Sequence, residues 1–312
     1  MAISKSQTEL ISPRDVLADI AKAVPSECHD KIVVIGSLAV GYHYFQDQVG
    51  MAVRTKDADC RLFPRAAAAK AGTEITESLL KNNWHFKNDG IWGHPGNSET
   101  PDDKLPAVRL LPPGTDEWFL ELLAEPESSM ARVQRWMRIE TRYGHFGLPS
   151  FGFLSIANFK PIRSDLGIYI ARPEMMALAN LLEHPAIGPD TMSAGVSNRL
   201  DIKRSNKDLG RVLAITRLAI GQDDDALLTW ADFWLDALRQ RFPCEWRGLV
   251  PQAGKGLRAL LASEQDLEQA LFTCANGLLA SRPPSLKQLI IAGKRLLVDA
   301  IENLERQVPN SD

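Results

Sequence analysis

The sequence predicts an α/β protein: a mixed sheet flanked by helices, followed by an all-helical domain. Three observations carry that prediction. Short apolar runs such as 31–36 (KIVVIG) and 117–125 (EWFLELLAE) alternate with segments of helical period through the first half of the chain. Beyond Pro173 the chain reads as one helix after another. The 312 residues, 45% hydrophobic and 24% charged, exceed one typical domain and exclude wholesale disorder. The two domains are placed at 1–168 and 169–312.

The elements follow in order. Ser12 and Pro13 mark a helix start over 13–24, where Val16, Ile20 and Val24 share a face. KIVVI is a buried strand ending at Gly36, and SLAVGYHYF opens the next helix. A second strand is expected around Ala58–Phe63, then a helix over 65–82. Residues 84–92 read as a strand running into a turn at Asp89-Gly90, and 93–104 as a loop. LPAVRLLP (105–112) and EWFLELLAE form a hairpin across PPGTD, although FLELL alone also suits a helix. An Arg-rich helix is expected over 127–142, with short strands in 143–172. Helices are expected over 174–184, 203–219, 224–240, 254–261, 264–280 and 284–307, with Ser285 capping the last.

Charge and cysteine content narrow the function classes. Lys and Arg total 36 and Asp and Glu 39, for a net charge of −3, which excludes non-specific whole-surface binding to nucleic acid. The 4 cysteines form no CxxC pair, so a zinc ribbon is not expected and a reducing compartment is. The polar N-terminal residues resemble no signal peptide, and no apolar run reaches the ~18 residues of a membrane span. A cytoplasmic protein with no membrane partner is expected.

The informative stretch runs from strand to turn to helix to a second strand entered through two aspartates. Gly36-Ser37 follows KIVVI directly. Glycine there permits close approach of a ligand to the backbone, and the following helix start offers N–H groups to phosphate. Asp57 and Asp59 stand two apart at a strand entrance, hence on one face, with the oxygen donors that Mg²⁺ prefers. Glu121 lies among large apolar residues, a costly place for a carboxylate without a cation. Each feature alone also fits an ordinary structural role: a turn, a solvated strand entrance, an edge carboxylate.

Together, Gly36-Ser37, the phrase Arg54-Thr55-Lys56-Asp57-Ala58-Asp59 and the late strand acid Glu121 resemble the nucleotidyltransferase superfamily of the polymerase-beta-like fold. They look closest to its AbiEii-type and minimal members. The resemblance covers roughly residues 15–125, with looser echoes in RPEMMALANLL and Lys207-Asp208-Leu209. It implies an Mg²⁺-dependent (or Mn²⁺-dependent) enzyme that moves a nucleotide from a nucleoside triphosphate to a hydroxyl. The acceptor classes it leaves open are RNA such as a tRNA end, a protein, and a small molecule. Asp57, Asp59 and Glu121 would hold the metal, Gly36 and Ser37 the leaving phosphates, and Lys56 and Arg54 would neutralise triphosphate charge. It also implies a toxin–antitoxin role, with an antitoxin-type protein partner. The sequence departs from the family pattern in the long interval between Ser37 and Asp57 and in Asn180, where the family helix often carries lysine. An inactive member of the fold, serving as a nucleotide-binding or protein-interaction module, is the alternative expectation.

Two basic groups complete the inventory. Arg132, Arg135, Arg138 and Arg142 would form one stripe on a helix and contact a phosphate backbone, or simply face solvent. Lys203, Arg204, Lys207 and Arg211 gather near Asp208. Trp230 and Trp234 share a helix face and are expected in the core.

Overall fold

The structure, a computed structural model, describes residues 10–45, 48, 50–87, 94–126, 135–150, 152–183, 191–192 and 202–308. These fall into two compact units. One is drawn from 1–127, 133–151 and 162–170, the other from 128–132, 152–161 and 171–312.

The first unit begins with helix α1 (Pro13–Ala23), capped by Ser12, whose hydroxyl accepts the Asp15 N–H at 3.3 Å. Strand β1 (Ile32–Val34), helix α2 (Gly36–Phe45), strand β2 (Asp57–Leu62) and helix α3 (Arg65–Lys81) follow. Then come β3 (His85–Phe86), β4 (Arg109–Leu111), β5 (Phe119–Ala124), β6 (Arg135–Thr141) and β7 (Gly144–Ser150). After a short helix of the second unit, α4 (Leu154–Ala157), the first unit closes with β8 (Ile162–Arg163) and β9 (Tyr169–Ile170). Seven strands form one mixed sheet in the order β3-β4-β5-β2-β1-β9-β8, and β6 and β7 form a separate hairpin. The expected β4–β5 hairpin is present, and FLELL is strand: Arg109 pairs with Glu121 and Leu110 with Leu120.

The central strands pair in parallel, β2 with β5, from Asp57↔Phe119 to Leu62↔Ala124. Alternate residues therefore point to opposite faces. Ala58, Cys60 and Leu62 on β2, with Leu120, Leu122 and Ala124 on β5, are fully buried. That face packs against α3 and the β6–β7 hairpin. Gly72 of α3 marks the closest approach: a Cβ there would stand 3.2 Å from Leu148 Cδ1 and 3.3 Å from Leu62 Cδ1. The other face presents Asp57, Asp59 and Glu121, with the buried Arg61 further along β2 paired to Glu125 at 3.1 Å.

One element is corrected. The helix expected over 127–142 is, from Arg135 onward, strand β6, paired to β7 from Arg135↔Ser150 to Thr141↔Gly144. Trp136, Ile139 and Thr141 supply β-formers, and Ile139 packs against α3, so tertiary burial overrides the helical spacing of the arginines. Residues 127–134 of that expectation, including Arg132, lie outside the described residues, as do 88–92 of the strand-to-turn segment.

The second unit is helical, continuing from α4 through α5 (Pro173–Glu183), α6 (Arg204–Gln222), α7 (Trp230–Arg241), α8 (Trp246–Leu261) and α9 (Glu264–Ala275). Its last elements are α10 (Leu286–Arg295) and α11 (Glu302–Arg306), joined without a break by a π-helical stretch over Leu296–Ile301. Helix α8 begins well before the expected 254 because it runs through Pro251, which reads as a breaker. Helix α9 stops at Ala275, short of the expected 280. Ser285 caps α10 in a reciprocal capping box with Gln288. Trp230 and Trp234 are buried in this core, and the Trp234 indole donates to the Glu174 carbonyl at 2.9 Å. Among the described residues no helix is long and apolar enough to cross a membrane.

Gly72 yields a prediction. A Gly72→Val substitution forces side-chain atoms into Leu62, Leu148 and Ile139, and overpacking of this kind costs about 1–3 kcal/mol. Urea denaturation measures it; an unchanged midpoint would contradict the packing of α3 on the sheet.

Candidate active site

The site is built by β1, α2, β2 and β5. Strand β1 ends where the Ile35 N–H donates to the Asp59 carbonyl at 2.9 Å. The chain then turns at Gly36, with φ of +73°, and enters α2. Only glycine takes that conformation without strain. A Cβ at Gly36 would also stand 3.4 Å from Asp59 Oδ2, so the turn and the Asp59 carboxylate face each other. Ser37, half-buried, is the next residue of the helix start. Helix α2 is tied down behind the site: the buried Tyr42 hydroxyl donates to the Asp165 carboxylate, which Arg14 also grips at 2.7 Å.

The register of β2 and β5 does the rest. The Phe119 N–H donates to the Lys56 carbonyl at 2.8 Å, which fixes the start of β5 beside Asp57. Two residues on, Asp59 pairs directly with Glu121. Paired residues on neighbouring strands point to the same face. Asp57, Asp59 and Glu121 thus share one face, with Gly36 adjoining Asp59. Asp57 is exposed and Asp59 half-buried, while Glu121 is only 9% exposed. Of the two flanking cations, Lys56 is exposed just before β2 and Arg54 is half-buried.

Sequence reasoning missed the next neighbour. Arg109 on β4 pairs with Glu121 from the opposite side of β5, and its guanidinium meets Glu121 Oε1 at 3.1 Å. Lys87 adjoins Arg109, donating its backbone N–H to the Arg109 carbonyl at 3.0 Å, and its ammonium lies 4.7 Å from the centre of the Phe119 ring. Across the sheet this gives one row, Lys87, Arg109, Glu121 and Asp59: two cations, then two acids. The signal in the sequence was Arg109 within LPAVRLLP, a charge inside an apolar strand matching the charge inside FLELL.

Burial pushes the Glu121 carboxyl above its usual range. The Arg109 guanidinium opposes that rise by charge and hydrogen bond, Asp57 adds to it, and Lys87 opposes it. Among the described residues no group of three or more His, Cys, Asp and Glu side chains stands close enough together to hold a metal ion. The donor chemistry nonetheless suits a hard cation: carboxylate oxygens only, beside a glycine turn that faces the Asp59 carboxylate. Asp57 and Asp59 are the residues that could hold it, with Glu121 joining by turning from Arg109.

The other candidates are engaged elsewhere. Arg138, on strand β6, pairs with Asp102 at 2.8 Å and bonds the Asn97 and Thr100 carbonyls, pinning the loop before β4 to the hairpin. Arg142 sits in the β6–β7 turn over the Tyr143 ring, so these arginines form no helical stripe. Arg204 and Arg211 both contact the buried carboxylate of Asp208 at 3.2 Å, and Lys203 pairs with Asp266 at 2.8 Å. Cys28, Cys60 and Cys274 are buried, and burial pushes the thiols of Cys28 and Cys274 up to about 11 and about 12, which leaves them unreactive.

The raised Glu121 carboxyl makes stability depend on pH. A carboxyl whose value rises on folding contributes stability that is present below its ordinary value of 4.5 and lost as pH rises through the folded value. Glu121→Gln lacks that dependence. The unfolding free energy of wild type relative to this variant should fall as pH climbs from 4.5 through the folded value. A constant difference in urea melts across that window would contradict it.

No protein-family model matches the chain, and no curated protein matches it either.

Proposed function

We propose that the protein is a divalent-metal-dependent nucleotidyltransferase of the polymerase-beta-like fold, moving a nucleoside monophosphate from a triphosphate to a hydroxyl acceptor. The observation that carries the reading is the Asp59↔Glu121 pairing in parallel strands, which gives three carboxylates one face beside the Gly36-Ser37 turn. The order of elements, helix, strand, Gly-Ser turn, helix and DxD strand, supports it further.

The residues divide the work as follows. Backbone N–H groups at the start of α2 and the Ser37 hydroxyl bind the β- and γ-phosphates as they become pyrophosphate. Lys56 and Arg54 offset triphosphate charge. Asp57 and Asp59, completed by Glu121, hold the cation, which when bound offsets phosphate charge and eases ionisation of the attacking hydroxyl. Glu121, the least exposed of the three acids, takes the proton of that hydroxyl. The new bond joins the acceptor oxygen to the α-phosphorus as the bond to the β-phosphate bridging oxygen breaks, and pyrophosphate leaves with that electron pair.

One observation favours a second reading, an inactive nucleotide-binding module. Glu121 is held by Arg109 at 3.1 Å, away from Asp59. Incubation with Mg²⁺, each labelled triphosphate, and RNA, protein or small-molecule acceptors separates the two. Transfer is expected, reduced by about 10²-fold or more in Asp57→Asn and Asp59→Asn, the scale on which a preorganised charge contributes to a transition state. Triphosphate binding without transfer to any acceptor would favour the inactive module.

A further inference from the structure

We propose that Arg109 is a positioning residue for Glu121, and that its guanidinium and a divalent cation compete for that one carboxylate. The inference rests on reading this face as a divalent-cation site. Three observations lead to it.

The first is the strand order. β5 lies between β4 and β2, so Arg109 and Asp59 flank Glu121 from opposite sides in a single row. A Glu121 side chain that leans toward Arg109 leans away from Asp59. The second is the state of that carboxylate. Oε1 is bound by Arg109 at 3.1 Å and the side chain is 12% exposed, too dry for water to serve as its main partner. Although Asp59 and Glu121 are register neighbours on one face, no three acidic side chains among the described residues converge to metal-binding distance. Glu121 Oε1, on the acid in register with Asp59, is thus held from the β4 side. The third is an alternative seat for the displaced cation: the guanidinium already stands 5.8 Å from the centre of the Phe119 ring.

Charges of both signs therefore face Glu121. Arg109 and Lys87 press from the β4 and β3 side, Asp57 and Asp59 from the β2 side. With the acids alone the carboxylate is repelled, and Arg109 holds it. With a divalent ion held by Asp57 and Asp59, that repulsion would be offset and Glu121 would turn from Arg109 toward them. Arg109 thereby sets a threshold for cation binding and keeps a buried carboxylate paired below that threshold.

The test titrates Mn²⁺ alone into the full chain, followed by electron paramagnetic resonance. Arg109→Met keeps the aliphatic stem and removes the competitor, so it should bind Mn²⁺ about tenfold more tightly, the scale of one hydrogen bond to a charged group. Arg109→Lys should stay near wild type, and the gain should vanish in the Arg109→Met/Glu121→Gln double variant. Unchanged or weaker Mn²⁺ binding by Arg109→Met, or a gain that survives Glu121→Gln, overturns the proposal. A second measurement uses the wild type only, and so does not depend on any variant folding. Saturating Mg²⁺ should shift the Arg109 Nε–H resonance, and an unmoved resonance overturns the proposal. Nucleotide transfer without these cation effects removes this inference and leaves the transferase reading standing; the cation effects without transfer do the reverse.

Discussion

The parallel pairing of β2 with β5 is the constraint on which the first unit depends. It is a pairing of six residues with six, from Asp57↔Phe119 to Leu62↔Ala124. Because side chains alternate, the one register sorts both strands at once. Ala58, Cys60, Leu62, Leu120, Leu122 and Ala124 go to the face under α3, and Asp57, Asp59 and Glu121 go to the other. A slip by one residue would bury the acids against Gly72 and expose the core. The hydrophobic effect therefore enforces the geometry of the acidic face, although of its three acids only Glu121 is buried.

That face carries an electrostatic cost, and the neighbouring elements offset it. Glu121 is nearly buried, and burial disfavours its charge. Arg109 answers from β4 by direct contact, and Lys87 answers at longer range. Asp57 is exposed and Asp59 half-exposed, so water screens them in part, next to a turn whose positive φ favours glycine. Along the one row through Glu121 the arrangement is polarised: cations toward β3, acids toward β1. A net charge of −3 over the whole chain says nothing of this local order. A polyanionic substrate is compatible with a slightly acidic protein when charge is arranged in this way and a cation joins it.

Much of the fold was legible in the sequence because local chemistry and tertiary structure agree. Ser12 caps α1 and Ser285 caps α10, each by the hydrogen bond its position suggests. KIVVI followed by Gly36 gives a strand and a turn, and the DxD spacing gives two acids on one face. The failures have physical causes as well. Arginines at 135, 138 and 142 repeat at helical spacing, yet Ile139 finds a hydrophobic partner only in a strand against α3. Pro251 disguises the early turns of α8. The Arg109–Glu121 contact was only half legible: each is a lone charge in an apolar strand of one expected hairpin, while the register that joins them is encoded by no local pattern. For the same reason Glu121 was legible as a candidate, while its pairing was not.

In the proposed function, Asp57, Asp59 and Glu121 would form a cation site that presents a triphosphate to the Gly36-Ser37 turn. Diffraction at the manganese absorption edge, from crystals grown with Mn²⁺ and a non-hydrolysable triphosphate analogue, tests it most directly. The account predicts an anomalous peak coordinated by Asp57 and Asp59, with the β- and γ-phosphates on the N–H groups that open α2. Analogue bound elsewhere, or a face with no anomalous peak at saturating Mn²⁺, would contradict it.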